Sequence, residues 1–287
     1  MGTRTTASPA SSRLDEILAH TRAVIAERQA AAQHSDPQLS RLTRSAHAHT
    51  PRGFVRALRA AAQRPAPCLP ATIAELKRAS PSKGILRESL DVPALARSLQ
   101  SAGAAALSVL TEEKFFHGSL ANLDAASRAS TLPCLRKDFM LDEFQLVEAR
   151  AHRADAILLL AAALDDKALQ SLADKAIALD LDALCEVHTA PELDRVLRLS
   201  LDPARVALGI NSRDLHSFSV SLDSTISLAA RVPTSSGFVL VAESGIRTAA
   251  DIRRLRDAGF SAFLIGETLM RAHDPAAALE ELLAACG

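Results

Sequence analysis

Two side chains of opposite charge occur where a buried strand ends. In the segment IAELKRASPSKG, which runs from Ile73 to Gly84, Glu75 and Lys77 are two residues apart. Strand side chains alternate between the two faces of a sheet, so these two point into the same space. Burying a carboxylate and an ammonium costs several kcal/mol per ion unless both are well paired. The two residues therefore form either a structural ion pair or part of a site that moves protons.

Polar side chains recur at the carboxyl ends of later apolar runs, whereas the amino ends carry Pro, Cys, Ala or Phe. The set is Glu75, Lys77, Glu112, Lys137, Asp138, Glu186, His188, Asn211, Arg213, Glu243 and Ser244. Ammonium donors beside carboxylate acceptors suit general acid–base catalysis, and each charge shifts the pKa of its neighbours. We therefore expect one charged ring rather than isolated ion pairs.

Eight short apolar runs alternate with helical stretches and must position this ring. The runs are TIAELK, AALSVLTE, PCLRKDF, AILLLAAAL, ALCEVH, VALGINSRD, FVLVAES and AFLIGETL. Alternating strands and helices predict βαβ units, and eight of them closing on themselves make an α/β fold of the (β/α)8 TIM-barrel type, whose active sites lie at the carboxyl ends of the strands. An open doubly wound sheet is the rival, but no G-x-G-x-x-G follows the first strand.

The region before the first strand has a different pattern. LDEILAHTRAVIAERQ, from Leu14, and FVRALRAAAQ, from Phe54, show apolar residues at helical spacing. We expect a disordered tail over residues 1–12, an N-terminal helical extension over 13–66 and the barrel over 67–287.

The bulk composition narrows the possible partners and location. The chain has 33 Lys and Arg residues and 33 Asp and Glu residues. Its formal net charge is therefore zero, and no overall positive charge attracts it to nucleic acid or to an anionic membrane. No apolar run approaches the roughly 18–20 residues of a membrane span. Four scattered cysteines without paired spacing indicate reduced thiols. We expect a cytoplasmic protein, and a monomer, because no strongly apolar surface stripe is evident in the sequence.

A phosphate site is predicted after the last two strands. ESGIRTAAD places Ser244 and Gly245 just before a helix that begins near Thr248, and IGETLM places Gly266 after the eighth run. Loops after strands seven and eight commonly bind phosphate in this fold through free backbone N–H groups. The alternative for the glycines is a tight turn.

Other chemistries have less support in the sequence. The nine histidines show no H-x-x-x-H spacing, and no G-x-S-x-G elbow is present. We therefore expect no metal site. Schiff-base chemistry through Lys77 or Lys137 stays open as a competing mechanism.

Several long motifs, in order, carry a family resemblance. They are IAELKRASPSKG, ALSVLTEEKFFHGS, LRKDFMLDEFQLVEAR, CEVHTAPELDRVL, LGINSRDL, ESGIRTAADIRRL and IGETLMRAHDPAAAL. The chain resembles the indole-3-glycerol phosphate synthase family of tryptophan biosynthesis. The resemblance implies a lyase that closes the ring of 1-(2-carboxyphenylamino)-1-deoxyribulose 5-phosphate, a phosphosugar, with loss of CO₂ and water and without a cofactor. The resemblance also suggests that the chain associates weakly with other enzymes of the tryptophan pathway.

The resemblance also implies residue roles. Lys137 would be the general acid of ring closure and Glu186 a general base, with Glu75 placed for proton transfer. Lys77 would pair with the anthranilate carboxylate and serve as an acid in dehydration.

The remaining residues implied by the resemblance would bind the substrate. Its polar groups would contact Asn211, Arg213 and Glu243, and the phosphate and ribulose would lie among Ser80, Ser244, Gly245 and Gly266. Phe115 and Phe139 would pack on the anthranilate ring, with ordinary barrel packing as the alternative. The helical extension would cover the active-site face. The chain departs from the usual family pattern at His117, Ser212, Ala242 and Glu267.

Two competing functions remain open at this point. One is another phosphosugar enzyme on the same barrel, such as a phosphoribosylanthranilate isomerase or a Schiff-base aldolase. The other is a catalytically silent phosphate-binding protein, which the intact Glu75, Lys77, Lys137 and Glu186 argue against.

Overall fold

The structure is a computed structural model that describes residues 12–33, 44–46, 48–63, 70–213 and 219–286. Almost all of the expected tail, residues 1–11, and Cys68 lie outside the described residues.

Eight parallel strands form a closed barrel. The strands in chain order are β1 (Ala71–Leu76), β2 (Ala79–Ser80), β3 (Gly84–Ile85), β4 (Ala106–Leu110), β5 (Cys134–Lys137), β6 (Ala156–Leu160), β7 (Asp182–Val187), β8 (Val206–Asn211), β9 (Leu240–Glu243) and β10 (Ala262–Ile265). The barrel consists of β1 and β4 to β10, each paired with the next, with β10 closing on β1. The short β2 and β3 form an antiparallel hairpin after β1. The predicted (β/α)8 barrel is confirmed.

Helices precede β1, and others follow the barrel strands. Their bounds are α1 (Arg13–Gln33), α2 (Phe54–Ala62), α3 (Val92–Ser101), α4 (Leu120–Ala129), α5 (Glu143–Ala151), α6 (Asp166–Ala178), α7 (Ala190–Val196), α8 (Leu222–Ala229), α9 (Ala249–Asp257), α10 (Glu267–Arg271) and α11 (Pro275–Ala284). Side chains at the N-caps of several helices accept hydrogen bonds from the first turn, as Asp142 does for α5 and Thr248 for α9. These caps satisfy otherwise free N–H groups and fix where each loop over the barrel ends.

The register places the polar strand ends at one level. Leu110 pairs with Lys137, Leu160 with Glu186, and Asn211 with Glu243 in neighbouring strands. Because all the strands are parallel, the polar residues at their carboxyl ends surround one opening.

Helix α2 lies at the other end of the barrel from this opening. Its buried Phe54, Val55 and Leu58 belong to a cluster with residues of the barrel interior. The Val55 N–H donates to Oδ2 of Asp182, the first residue of β7, at 2.9 Å. Helix α2 therefore closes the amino-terminal end, and the expectation that the whole extension covers the active-site face is corrected: α1 lies on that face and α2 does not.

A buried carboxylate anchors the segment before α2. Asp155, which is fully buried before β6, receives hydrogen bonds from Arg52 Nε at 3.1 Å and from the Cys134 N–H at 2.7 Å, and His49 Nε2 lies 3.1 Å away. Burial alone would raise the pKa of Asp155, but the hydrogen bonds from His49 and Arg52 hold it below its usual value. The ion pair joins the extension to the amino end of the barrel.

Among the helices of the described residues, none combines the length and apolar character that crossing a bilayer requires.

Candidate active site

A cavity of about 710 Å³ opens at the carboxyl ends of the barrel strands. Twelve predicted site residues line it: Glu75, Lys77, Ser80, Lys137, Phe139, Glu186, Asn211, Arg213, Glu243, Ser244, Gly245 and Gly266. A cavity of this size suits a small molecule held by a few polar groups. The tertiary structure thus brings together residues that are up to 191 positions apart in the sequence, from Glu75 to Gly266.

Phe115, which was predicted to pack on the substrate's aromatic ring, does not line the cavity. Its ring packs edge to face against His20 of α1, with 5.8 Å between the centroids, and the Arg13 guanidinium lies 5.2 Å from its centroid. The next residue, Phe116, lines the cavity and lies 6.3 Å from Phe139. The expectation for Phe115 is therefore corrected: Phe115 contacts α1, and Phe116 faces the cavity.

The loop after β4 explains which phenylalanine faces inward. The Glu112 carboxylate, predicted as part of the ring, accepts hydrogen bonds from the N–H groups of Lys114, Phe115 and Phe116 at 3.1, 2.6 and 3.1 Å. His117 follows with φ at 52°, in the left-handed region. Glu112 therefore shapes the loop and does not line the cavity.

Lys137 lies between two buried carboxylates. Its Nζ donates to Glu186 Oε2 and to Glu243 Oε2, both at 2.6 Å. Burial alone would lower the pKa of Lys137, but the carboxylates of Glu186, Glu243 and Glu75 raise it above its ordinary value. Lys137 is therefore an ammonium that can act as a proton donor.

The two carboxylates beside Lys137 differ in their protonation. Burial alone would raise the pKa of Glu186, but the Lys137 ammonium and the His188 imidazole hold it well below its usual range. Burial and the neighbouring Glu186 carboxylate raise the pKa of Glu243 to about 8. Glu186 is thus the ionised partner of Lys137, and Glu243 takes up a proton near neutral pH.

Asn211 completes the surroundings of Glu186. Its Nδ2 donates to Glu186 Oε1 at 2.8 Å, and its Oδ1 accepts from the Arg213 N–H at 3.0 Å. The Asn211 amide thereby fixes the orientation of the carboxylate and of the loop that carries Arg213.

Glu75 and Lys77 form the pair that their spacing predicted. Lys77 Nζ donates to Glu75 Oε1 at 2.5 Å. A β-carbon at Gly266 would lie 2.4 Å from the same Oε1, so this glycine leaves room for the Glu75 carboxylate. The pair lines the cavity with Lys137 and is part of the ring rather than a separate ion pair.

Backbone with positive φ forms the end of the cavity beyond β9. Ser244 and Gly245 have φ of 64° and 78°, and a β-carbon on Gly245 would lie 2.5 Å from Val220 Cγ1. The Ser212 hydroxyl lies 2.9 Å from the Glu243 carbonyl oxygen and 2.8 Å from that of Ser244. Ser212, one of the departures from the family pattern, thus stabilises the turn through hydrogen bonds to its backbone.

Cationic side chains surround this end of the cavity. Arg247 and Arg271 line it together with Arg213. Neither was predicted from the sequence, although Arg247 lies two residues after Gly245 and Arg271 five residues after Gly266. Arg213 lies 3.5 Å from Glu267 Oε2, and Arg271 donates to Glu267 Oε1 at 3.2 Å. Glu267, another departure from the family pattern, therefore offsets part of the positive charge.

Helix α1 covers the opening. Arg13, Leu14 and Ile17 of its first turns line the cavity. Its second half is held to the barrel by Arg28, whose Nη1 lies 3.1 Å from Glu148 Oε1 and whose Nη2 lies 3.0 Å from Glu113 Oε1. The helix is thus fixed near its carboxyl end and presents its amino end to the cavity.

The arrangement has three parts with distinct chemistry. Phe116, Phe139 and apolar residues of α1 form an apolar wall, and Lys137 lies with its carboxylates as a group able to exchange protons. The loops after β9 and β10 form a cationic end whose charge suits a phosphate. The cavity therefore fits a phosphorylated molecule with an aromatic group at its far end.

Known proteins of one family are similar to this chain over most of its length. The model of the indole-3-glycerol phosphate synthase family matches residues 14–282. The chain is 50% identical over 273 residues to the indole-3-glycerol phosphate synthase of Koribacter versatilis, covering 95% of this chain and 99% of that protein. It is 48% identical over 231 residues to the enzyme of the same name from Polaromonas naphthalenivorans, covering 80% and 84%.

Solved structures resemble the chain in fold alone. The 3-hexulose-6-phosphate synthase of Salmonella typhimurium superposes with a TM-score of 0.59 at 11% identity, over 75% of this chain and 98% of that chain. A thiamine phosphate pyrophosphorylase from Pyrococcus furiosus gives a TM-score of 0.53 at 17% identity, over 76% and 95%. The fold comparison supports the barrel, and the sequence matches over almost the whole chain identify it as a member of the indole-3-glycerol phosphate synthase family.

Proposed function

We propose that this chain catalyses the reaction of its family, the closure of 1-(2-carboxyphenylamino)-1-deoxyribulose 5-phosphate to indole-3-glycerol phosphate. The observation that carries the proposal is the Lys137 ammonium held between Glu186 and Glu243 in a cavity with an aromatic wall and a cationic end. The reaction needs a proton donor, a proton acceptor and sites for a phosphate and an aromatic ring, and the cavity offers each.

The substrate is oriented by its two ends. The phosphate binds at Ser244, Gly245 and Gly266, where Arg247 and Arg271 add positive charge. The anthranilate ring packs against Phe116 and Phe139, and Lys77 pairs with its carboxylate. Ser80, Arg213 and Asn211 contact the polar groups between these ends, and Glu243 contacts them through its carboxyl group.

Ring closure uses Lys137 as the acid. The aromatic carbon that bears the carboxylate attacks the ribulose C2 carbonyl carbon, and Lys137 gives its proton to the carbonyl oxygen. The carboxylate then leaves as CO₂, and the electron pair of the broken bond restores the aromatic ring. Holding acid and substrate in contact removes the entropy cost of their encounter.

Dehydration completes the indole. The new hydroxyl group leaves as water with a proton from Lys77, and Glu186 removes the proton from the neighbouring carbon, with Glu75 placed for the same transfer. Burial among carboxylates keeps Lys137 protonated, which opposes its use as a Schiff-base nucleophile, because that role needs the free amine.

The test is indole formation by the purified chain. We expect absorbance and fluorescence of indole to rise after mixing with the substrate, without added metal or cofactor, against a low background because the chain has no Trp and no Tyr. Tight binding of the substrate in calorimetry without an indole signal would overturn the proposal in favour of a silent binder. Trapping of a lysine adduct by borohydride would favour the aldolase.

We further propose that the chain works as a cytoplasmic monomer, with weak association to other enzymes that make tryptophan. Cys134, Cys185 and Cys286 are buried free thiols, as suits a reducing compartment. Within the described residues, Ile85 is the one large apolar side chain that is exposed. Light scattering after size exclusion tests the monomer, and a mass near 30.4 kDa is expected.

A further inference from the structure

His188 contacts the candidate general base from outside the cavity. It follows β7, and its side chain is 4% exposed. Its Nε2 lies 3.1 Å from Glu186 Oε1, and its Nδ1 lies 3.6 Å from Oε2 of Glu192 in α7. The His188 backbone N–H donates to the same Glu192 oxygen at 2.7 Å. The imidazole therefore lies between two carboxylates, one in the cavity and one on a helix outside the barrel.

The charges around this imidazole favour its protonated form. Burial alone would lower the pKa of His188, but Glu186 and Glu192 raise it to about 9. Neither ring nitrogen is in hydrogen-bonding geometry with a described residue, so the contacts are ion pairs. Glu192 in turn has a lowered pKa: burial would raise it, and His188 more than offsets this.

The other groups that face Glu186 come from neighbouring strands. Lys137 of β5 lowers the pKa of Glu186, and Glu186 in turn raises the pKa of Glu243 of β9. Glu75 of β1 contributes to the raised pKa of Lys137. Cys185 beside it is neutral, because burial raises the pKa of the thiol to about 12. His188 is thus the cation beside Glu186 that does not take part in the proposed proton transfers.

We propose that His188, kept protonated by Glu192, is a positioning residue that holds Glu186 ionised and oriented while Lys137 gives its proton to the substrate. Once Lys137 is neutral, Glu186 loses one of its two cationic neighbours. The His188 imidazolium remains, so Glu186 stays a carboxylate until it removes the substrate proton in dehydration. This inference rests on the proposed synthase function, and it assigns a role to His188, which has none in the reaction steps proposed above.

Kinetics over a range of pH test the inference. Both His188→Gln and Glu192→Gln remove the charge of one partner, and we expect the acid limb of kcat to move up by about one pH unit, because an adjacent opposite charge lowers a carboxyl pKa by about 1–3 units. We expect kcat near neutral pH to fall about tenfold with little change in KM. His273→Gln, at an exposed histidine outside the cavity, is the matched control and should keep the wild-type profile.

A direct readout keeps the inference separate from the proposed function. Nitrogen NMR of the labelled imidazole should show His188 doubly protonated at pH 7.5 in the wild type and neutral in Glu192→Gln. A neutral His188 in the wild type, or variants that fold by circular dichroism yet keep the wild-type acid limb and kcat, would overturn the inference. If His188→Gln does not fold, the Glu192→Gln profile and the NMR decide. A wild type that makes no indole would instead refute the synthase function.

Discussion

Gly209 of β8 faces the Glu243 carboxylate so closely that a β-carbon there would lie 2.2 Å from Oε1. The Oε1 of this carboxylate is buried and has no hydrogen-bond partner among the described residues. The absent side chain at position 209 therefore gives Glu243 the room in which it reaches Lys137 with Oε2.

Filling this space should impair catalysis. We expect Gly209→Ala to push Glu243 away from Lys137 and lower kcat about tenfold or more, because an acid displaced by about 1 Å loses much of its effect. Steady-state indole formation measures the change. In the double variant Gly209→Ala/Glu243→Asp the carboxylate is carried on a side chain one carbon shorter and can fit beside the new methyl group. We therefore expect its loss of kcat to be smaller than the product of the two single losses. Strictly additive losses would show that the two residues are not coupled.

Loss of the ammonium should abolish most turnover. We expect Lys137→Met to lower kcat by about 10²–10⁴-fold, the usual contribution of a general acid, while calorimetry still detects substrate binding. Lys175→Met, at a surface lysine paired with Glu143, is the control and should keep wild-type kcat. Near wild-type turnover in Lys137→Met would contradict the assignment of the acid.

Glu243 should cost stability at alkaline pH. Its pKa of about 8 in the folded chain lies above the ordinary value of 4.5 for a glutamate. Between these two pH values the folded chain binds a proton that the unfolded chain does not, so stability falls as pH rises through this window. We expect Glu243→Gln to raise the free energy of unfolding by about 1–3 kcal/mol at pH 8.5 in urea and to flatten this slope, while lowering kcat. The exposed Glu280→Gln should change neither.

The ion pair at the amino end should act on stability and not on chemistry. Arg52→Met leaves the Asp155 carboxylate buried without its main partner, and we expect a loss of about 3–5 kcal/mol in the free energy of unfolding at pH 7. Because the folded pKa of Asp155 is depressed, this contribution is present above the unfolded pKa near 3.8 and is lost as pH falls below it. The exposed Arg56→Met is the control, and kcat of the folded variant should match the wild type; a lower kcat would link this end to the site.

The two adjacent phenylalanines should differ in their effects. Phe116→Ala removes a wall of the cavity, and we expect kcat/KM to fall about tenfold or more, since burying such a ring contributes about 1.5–3 kcal/mol. Phe115→Ala removes contacts to His20 and Arg13 of α1, and we expect a smaller change in kcat/KM with faster proteolytic cleavage of α1. The reverse order of effects would restore Phe115 as the residue that contacts the substrate.

The barrel and most of the candidate site were predictable from the sequence, because they follow from patterns within short segments of the chain. Strand periodicity and the alternation with helices are properties of short segments, and the carboxyl ends of parallel strands must meet on one face. For this reason Glu75, Lys137 and Glu186 could be placed in one cavity from their positions at strand ends alone.

Other features of the site depend on contacts between distant segments and could be read only from the tertiary structure. The loop after β4 follows no alternation, and three hydrogen bonds to Glu112 determine that Phe116 and not Phe115 faces the cavity. Both helices of the extension are apolar on one face, so only contacts such as that of Val55 with Asp182 distinguish the two ends of the barrel. The protonation of Glu186 and Glu243 likewise depends on charges brought together by folding, because the sequence specifies residue types and strand ends but not distances between strands.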